Sequence, residues 1–202
     1  YIDVQILAGS LSYLYRSSLN DFTRQKQLQI PAYSIKEKGS RLSSKKLKVG
    51  ISWFHGKENN NNSYSMKLEE LLPLLQIENI EWVNLQFGNW QKEVFALKKK
   101  HGIELSFWPD SSAAGDFEQY GALIKNLDLV IAPSNAAFIF AARLGVKSWI
   151  FTPVPDCNLG EDEDKSPWFY DVKQFCRSND DNWMNVVTSL TAEVHSLLRN
   201  RE

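Results

Sequence analysis

Residues 126–153 read NLDLVIAPSNAAFIFAARLGVKSWIFTP, and this stretch decides the fold. Residues 128–132 form a short run rich in leucine, valine and isoleucine, the composition that a parallel sheet buries on both faces. Pro133 ends that strand. Ser134 or Asn135 then offers a side-chain oxygen to the free N–H groups of a new helix, and Gly145 closes the helix about three turns later, where φ is usually positive. Residues 146–152 make the next strand, stopped by Pro153. Two parallel strands joined by a helix form a βαβ unit, so the turn at 133–137 falls at the carboxyl edge of the sheet, where open α/β folds bind ligands. The new helix has no acid in its first turn and begins with the small residues Ala136 and Ala137, so a phosphate can approach its backbone donors. Doubly wound proteins have several such turns, most of them empty, and the pattern alone assigns no ligand.

Working outward, strands and helices keep alternating. Residues 48–54 (KVGISWF) predict a buried strand of strong β formers, followed by the polar loop HGKENNNNSYS. The four asparagines of that loop read as solvated chain. Its start differs, because Ser52, His55, Gly56 and Lys57 lie where the sheet edge presents them to a ligand, with flexible backbone and one cation. Residues 66–75 predict an amphipathic helix whose leucines belong to the core, with Pro73 late in it or kinking it. Residues 80–86 predict a second strand ending in Phe87-Gly88-Asn89, and 90–101 a helix whose basic last turn complements the macrodipole. A third strand is expected at 103–107, a helix capped by Asp116 at 116–126, a strand at 172–176 and a terminal helix at 182–199. This alternation predicts a doubly wound, Rossmann-like α/β domain with a parallel sheet.

The N-terminal part reads differently. Residues 2–7 alternate as a half-buried strand, 11–22 read as a helix, and 23–46 are polar and basic with the composition of a linker. The expected organisation is therefore a remnant of a preceding unit plus linker at 1–46 and a Rossmann-like domain at 47–202. The first residues, Tyr1 onward, read as the inside of a folded unit, so the chain is expected to be a piece of something longer. Lys plus Arg (23) nearly cancel Asp plus Glu (24), which gives no argument for nucleic acid or an anionic membrane. No apolar run approaches a membrane span. Cys157 and Cys176 fit neither a metal spacing nor a disulfide framework and read as reduced thiols of a cytoplasmic protein; with the histidines scattered, neither a metal nor another cofactor is expected.

The succession KVGISWFHG, LEELLPLL, WVNLQFG, ALIKNLDLVIAPSNAAFIFAARLGVKSWIFTP, SPWFYDVKQF and the tryptophan of DDNW resembles the C-terminal domain, one half, of GT-B glycosyltransferases. More closely, it is similar to the heptosyltransferase-related regions that follow tetratricopeptide repeats in bacterial proteins, and GSLSYLYRSSLNDF resembles the segment that ends the N-terminal half in that group. The resemblance implies a nucleotide diphosphate sugar as partner and metal-independent sugar transfer in the full-length protein, the acceptor being unspecified. It places the donor near Ser52, Trp53, His55, Gly56 and Lys57, near Gln86 and Gly88, and at the helix start formed by Ser134, Asn135 and Ala136. The catalytic base of such enzymes generally comes from the N-terminal half. This chain departs from the family pattern: Ser134 and Asn135 replace an Asp-Thr pair, Ile139 replaces a histidine, and an arginine before the leucine-rich helix is missing. Two alternatives stay open, a degenerate non-catalytic interaction module beside the repeats and another nucleotide-sugar enzyme such as an epimerase.

Overall fold

The structure, a computed structural model, describes residues 2–22, 27–42, 45–55, 64–112, 115–156, 159, 166–169, 171–177 and 182–201. Its centre is a five-stranded sheet of β1 (Leu47–Ile51), β2 (Ile80–Asn84), β3 (Leu129–Ala132), β4 (Ser148–Thr152) and β5 (Val172–Cys176). The strands run parallel throughout in the order β2-β1-β3-β4-β5. Val49 pairs with Trp82 on one side and Leu129 on the other, so β1 sits where the direction of strand addition reverses. The expected strand at 103–107 is reduced to a parallel bridge from Ser106 to Val83 on the outer side of β2. Gly102 in the left-handed conformation and the turn from Trp108 to Ser111 bracket the segment closely, and only Ser106 completes a ladder step.

Both faces of the sheet are covered, as the β-branched strands require. One face packs against α3 (Leu72–Leu75), α4 (Gln91–His101) and α7 (Met184–Arg199); the other packs against α5 (Phe117–Lys125) and α6 (Ala136–Arg143). Val49, Ile51, Leu129, Ile131, Trp149 and Phe151 point to the first core, and Val130, Ala132 and Ile150 to the second. Gly50 is a close-approach glycine: a Cβ there would lie 2.5 Å from Leu85 Cδ1 and 2.7 Å from Leu127 Cδ1. At Gly145, φ is +72°, as the helix stop demands.

Three N-terminal expectations change. Residues 2–7 form no strand; Ile2, Val4 and Leu7 are exposed beside the short helix α1 (Ala8–Tyr15). The continuous helix expected at 11–22 is α1 followed by a 3-10 turn at Leu19–Asp21. The stretch read as a linker contains α2 (Ala32–Gly39), which packs on α5. Asn126 Nδ2 donates to Ile35 O (2.8 Å), Ser34 Oγ donates to Glu118 Oε1 (2.7 Å), and the buried Lys38 ammonium reaches Asp110 at 2.6 Å. Polar composition hid this because α2 is anchored through hydrogen bonds and one ion pair, with few apolar contacts. The helix expected at 66–75 is likewise divided into a 3-10 turn at Leu68–Leu71 and α3, since Pro73 has no N–H to give the preceding turn.

Candidate functional site

Three turns meet at the carboxyl edge. The first follows β1 and carries Ser52, Trp53, Phe54 and His55; the second follows β2 and carries Gln86, Phe87 and Gly88; the third leads from β3 through Ser134 and Asn135 into α6. Asn84 Oδ1 accepts from Gln86 N at 2.8 Å and folds the second turn back towards the first. Gln86 Oε1 then accepts three hydrogen bonds, from Ser52 Oγ (2.8 Å), Trp53 N (2.9 Å) and Phe54 N (2.8 Å). Its Nε2 donates to Phe54 O (3.2 Å) and Phe87 O (2.9 Å), so the whole amide is engaged. Ser52 uses its single proton on Gln86 and accepts from Asn135 Nδ2 at 2.8 Å. The structure thus joins Gln86, Ser52 and Asn135 in one chain of hydrogen bonds across the switch point, buried at Gln86 and Ser52 and half-buried at Asn135.

Asn135, and not Ser134, is the cap of α6. Its Oδ1 accepts from Ala137 N (3.0 Å) and Phe138 N (3.4 Å), so two of the donors expected to face a phosphate are already occupied. Ala136 remains exposed at the helix start. Ser134 Oγ donates instead to Asp156 at 3.1 Å, which puts a carboxylate at the mouth of the turn. Asp156 is fixed in turn by its N–H to Gln174 Oε1 at 3.1 Å.

The remaining predicted residues fall around this network. Trp53 is buried and donates its Nε1 to Glu93 Oε1 at 3.2 Å, while Glu93 Oε2 accepts from Leu68 N at 2.8 Å. Glu93 thereby ties the tip of β1 to the segment entering the Leu68–Leu71 turn. His55 is exposed; its N–H donates to Ser65 Oγ (3.0 Å) and its ring lies 5.6 Å from that of Tyr64. Gly88, with φ at +89°, borders a crevice of about 390 Å³ lined also by Trp53, Phe54, Gln86, Trp90 and Glu93. Gly56, Lys57, the asparagines 59–62 and Cys157 lie outside the described residues.

The mouth is more apolar than the sequence suggests. Phe87 is 56% exposed, Phe117 55% and Ile139 41%, and Phe117 stacks on Phe140 with ring centroids 5.3 Å apart. Beneath them, burial pushes the Tyr120 phenol far above its ordinary range, so it stays protonated and faces Leu85 O at 3.4 Å. Among the described residues no group of three or more His, Cys, Asp or Glu side chains is placed to hold a metal ion. Glu93, Asn84 and Asp156 went unnoticed in the sequence. Single carboxylates and amides in turns carry no spacing signal, and only the meeting of separate turns gives these residues their partners.

A parallel five-stranded sheet in this order, covered by helices on both faces, is a Rossmann-like α/β fold and matches the half-domains of GT-B glycosyltransferases. No family model matches the chain. In sequence it is similar to Protein FlbA of Caulobacter vibrioides, with 28% identity over 130 residues, 63% of this chain but 22% of FlbA. In structure it is similar to a family 9 glycosyl transferase of Veillonella parvula (10% identity, TM-score 0.59, 86% of this chain and 54% of that one). It is also similar to the ADP-heptose LPS heptosyltransferase II of E. coli (15% identity, TM-score 0.59, 90% and 57%). A protein of Listeria monocytogenes assigned as a UDP-N-acetylglucosamine 2-epimerase superposes with TM-score 0.53 at 16% identity, over 91% of this chain and 43% of that one. The chain therefore spans about half the length of the glycosyltransferases it resembles and under a quarter of FlbA. Among the described residues no helix is long and apolar enough to cross a membrane.

Proposed function

We propose that this domain is the nucleotide-sugar-binding half of a cytoplasmic glycosyltransferase-like protein. In this reading residues 47–202 receive the nucleotide diphosphate sugar, residues 1–46 lead in from an N-terminal half, and tetratricopeptide repeats accompany both in the parent chain. The supporting observation is the convergence of Ser52, Gln86 and Asn135 at the switch point, beside the crevice that Gly88 leaves open. The diphosphate is held by the exposed start of α6 at Ala136, by Lys57 and by the backbone of the β1 turn. Transfer needs no metal, because these donors stabilise the charge that develops on the leaving group.

A second reading, a non-catalytic interaction module, is favoured by specific contacts. Asn135 already occupies two helix donors, Asp156 brings a like charge to a phosphate, and the rim is apolar at Phe87, Phe117 and Ile139. Fold by itself does not separate transfer from epimerisation. Calorimetric titration with UDP, GDP, ADP and CMP, without metal and then with magnesium, distinguishes the readings. Saturable binding that is lost in Ala136→Asp supports the donor site, since an acid at the first helical position favours the helix while repelling phosphate. Silence at millimolar nucleotide from folded protein overturns it in favour of the interaction module.

A further inference from the structure

A larger cleft, about 640 Å³, lies on the α4 side of the β1 tip, between the Leu68–Leu71 turn, α4 and the start of α7. It shares only Phe54 and Glu93 with the crevice at Gly88. Its volume is that of a small-molecule site. The floor is apolar: Met66, Leu97 and Trp183 are each at most 5% exposed. Trp183 is held from below by Phe151, edge to face at 5.6 Å, and is covered by the Arg177 guanidinium at 4.9 Å. Trp183 is thus enclosed, and the Arg177 guanidinium laid over it lines the cleft with a flat cationic group.

The walls show what chemistry is missing. Each carboxylate already accepts from the protein: Glu69 from Lys100, Glu70 from Lys67 N at 2.6 Å, and Glu93 from Trp53 Nε1 and Leu68 N. Of the lining cations, Lys100 is paired with Glu69 and the His101 Nε2 is buried 3.8 Å from Glu69 Oε1, whereas Lys67 Nζ makes no ion pair among the described residues. A ligand that completes this cleft brings a flat apolar body and an acceptor group, not further donors. We propose that the cleft is a binding site, separate from the sheet-edge crevice, for a small aromatic carboxylate.

Naphthoate and its neutral isostere naphthamide test the proposal by ligand-observed NMR and by titration of the Trp183 indole signal. The expected result is saturable binding with naphthoate preferred by about tenfold, as a charge-assisted contact gives. Lys67→Glu should remove that preference. Ala96→Trp, at an exposed wall position, should fill the cleft and abolish binding of both without disturbing the core. Equal affinity for acid and amide, binding unchanged by Ala96→Trp, or no binding to folded protein overturns the proposal. Displacement of naphthoate by a nucleotide would overturn its separateness, whereas absence of nucleotide binding bears only on the donor-site reading.

Discussion

Asn135 Nδ2 donates to Ser52 Oγ across 2.8 Å, joining the turn after β3 to the turn after β1 where the strand order reverses. The same side chain caps α6 through its oxygen, so one residue fixes both the helix start and its distance from the neighbouring strand. Asn135→Ala removes both and should cost about 1–3 kcal/mol, read as a lower denaturant midpoint at unchanged slope. Asn135→Asp keeps the cap but has no donor for Ser52, and should fall between. Equal loss in the two variants would show that the bond to Ser52 contributes nothing.

Gln86 serves three donors with one oxygen and two carbonyls with one nitrogen. Gln86→Leu leaves the Trp53 and Phe54 amides and the Ser52 hydroxyl unsatisfied in a buried place, at about 1–3 kcal/mol for each such group. Destabilisation of at least about 3 kcal/mol is expected in chemical denaturation. Gln86→Glu keeps the oxygen that accepts from Ser52, Trp53 and Phe54 but turns a second carboxylate oxygen, with nothing to donate, towards Phe54 O and Phe87 O. Its stability at neutral pH should fall between wild type and Gln86→Leu, and a loss equal to that of Gln86→Leu would contradict the arrangement.

Glu93 pins Trp53 Nε1 and Leu68 N with its two oxygens, 40 and 25 residues away along the chain. In Glu93→Gln one oxygen becomes an amide donor that faces another donor. A loss of about 2 kcal/mol is expected, as for hydrogen bonds to a charged group. The loss should come with a shifted indole N–H resonance for Trp53, while a spectrum identical to wild type would show that the clasp is absent in solution.

Lys38 is buried, and its hydrogen bond holds the Asp110 carboxyl below the ordinary value of 3.8. A depressed folded-state pKa gives stability that is present above the unfolded value and is lost as pH falls through the folded one. Asp110 is 49% exposed on its side chain, so solvent screens the pair and the effect is modest. Acid titration should show this component below about pH 4 in the wild type and its disappearance in Asp110→Asn. Asp110→Asn should also loosen α2 from α5, read as faster amide exchange across residues 32–39.

The sequence by itself determined the doubly wound class, because strand and helix periods alternate and Pro133, Gly145 and Pro153 punctuate them. It located the carboxyl-edge turns and with them Ser52 and Asn135, since turn position follows from chain order, while Gln86 and Gly88 were pointed to by the family resemblance. It misread the segments whose state depends on distant partners. Residues 103–107 look like a strand but sit at a sheet edge with room for one bridge, and 23–46 look like a linker but contain α2, which is tied down by Asn126, Glu118 and Asp110. Only the tertiary structure decided between Ser134 and Asn135 as the cap of α6 and placed Asp156 at the mouth. Local pattern fixes which groups a turn carries; which of them are already satisfied depends on side chains brought from dozens of residues away, as Asn135 and Ser52 are.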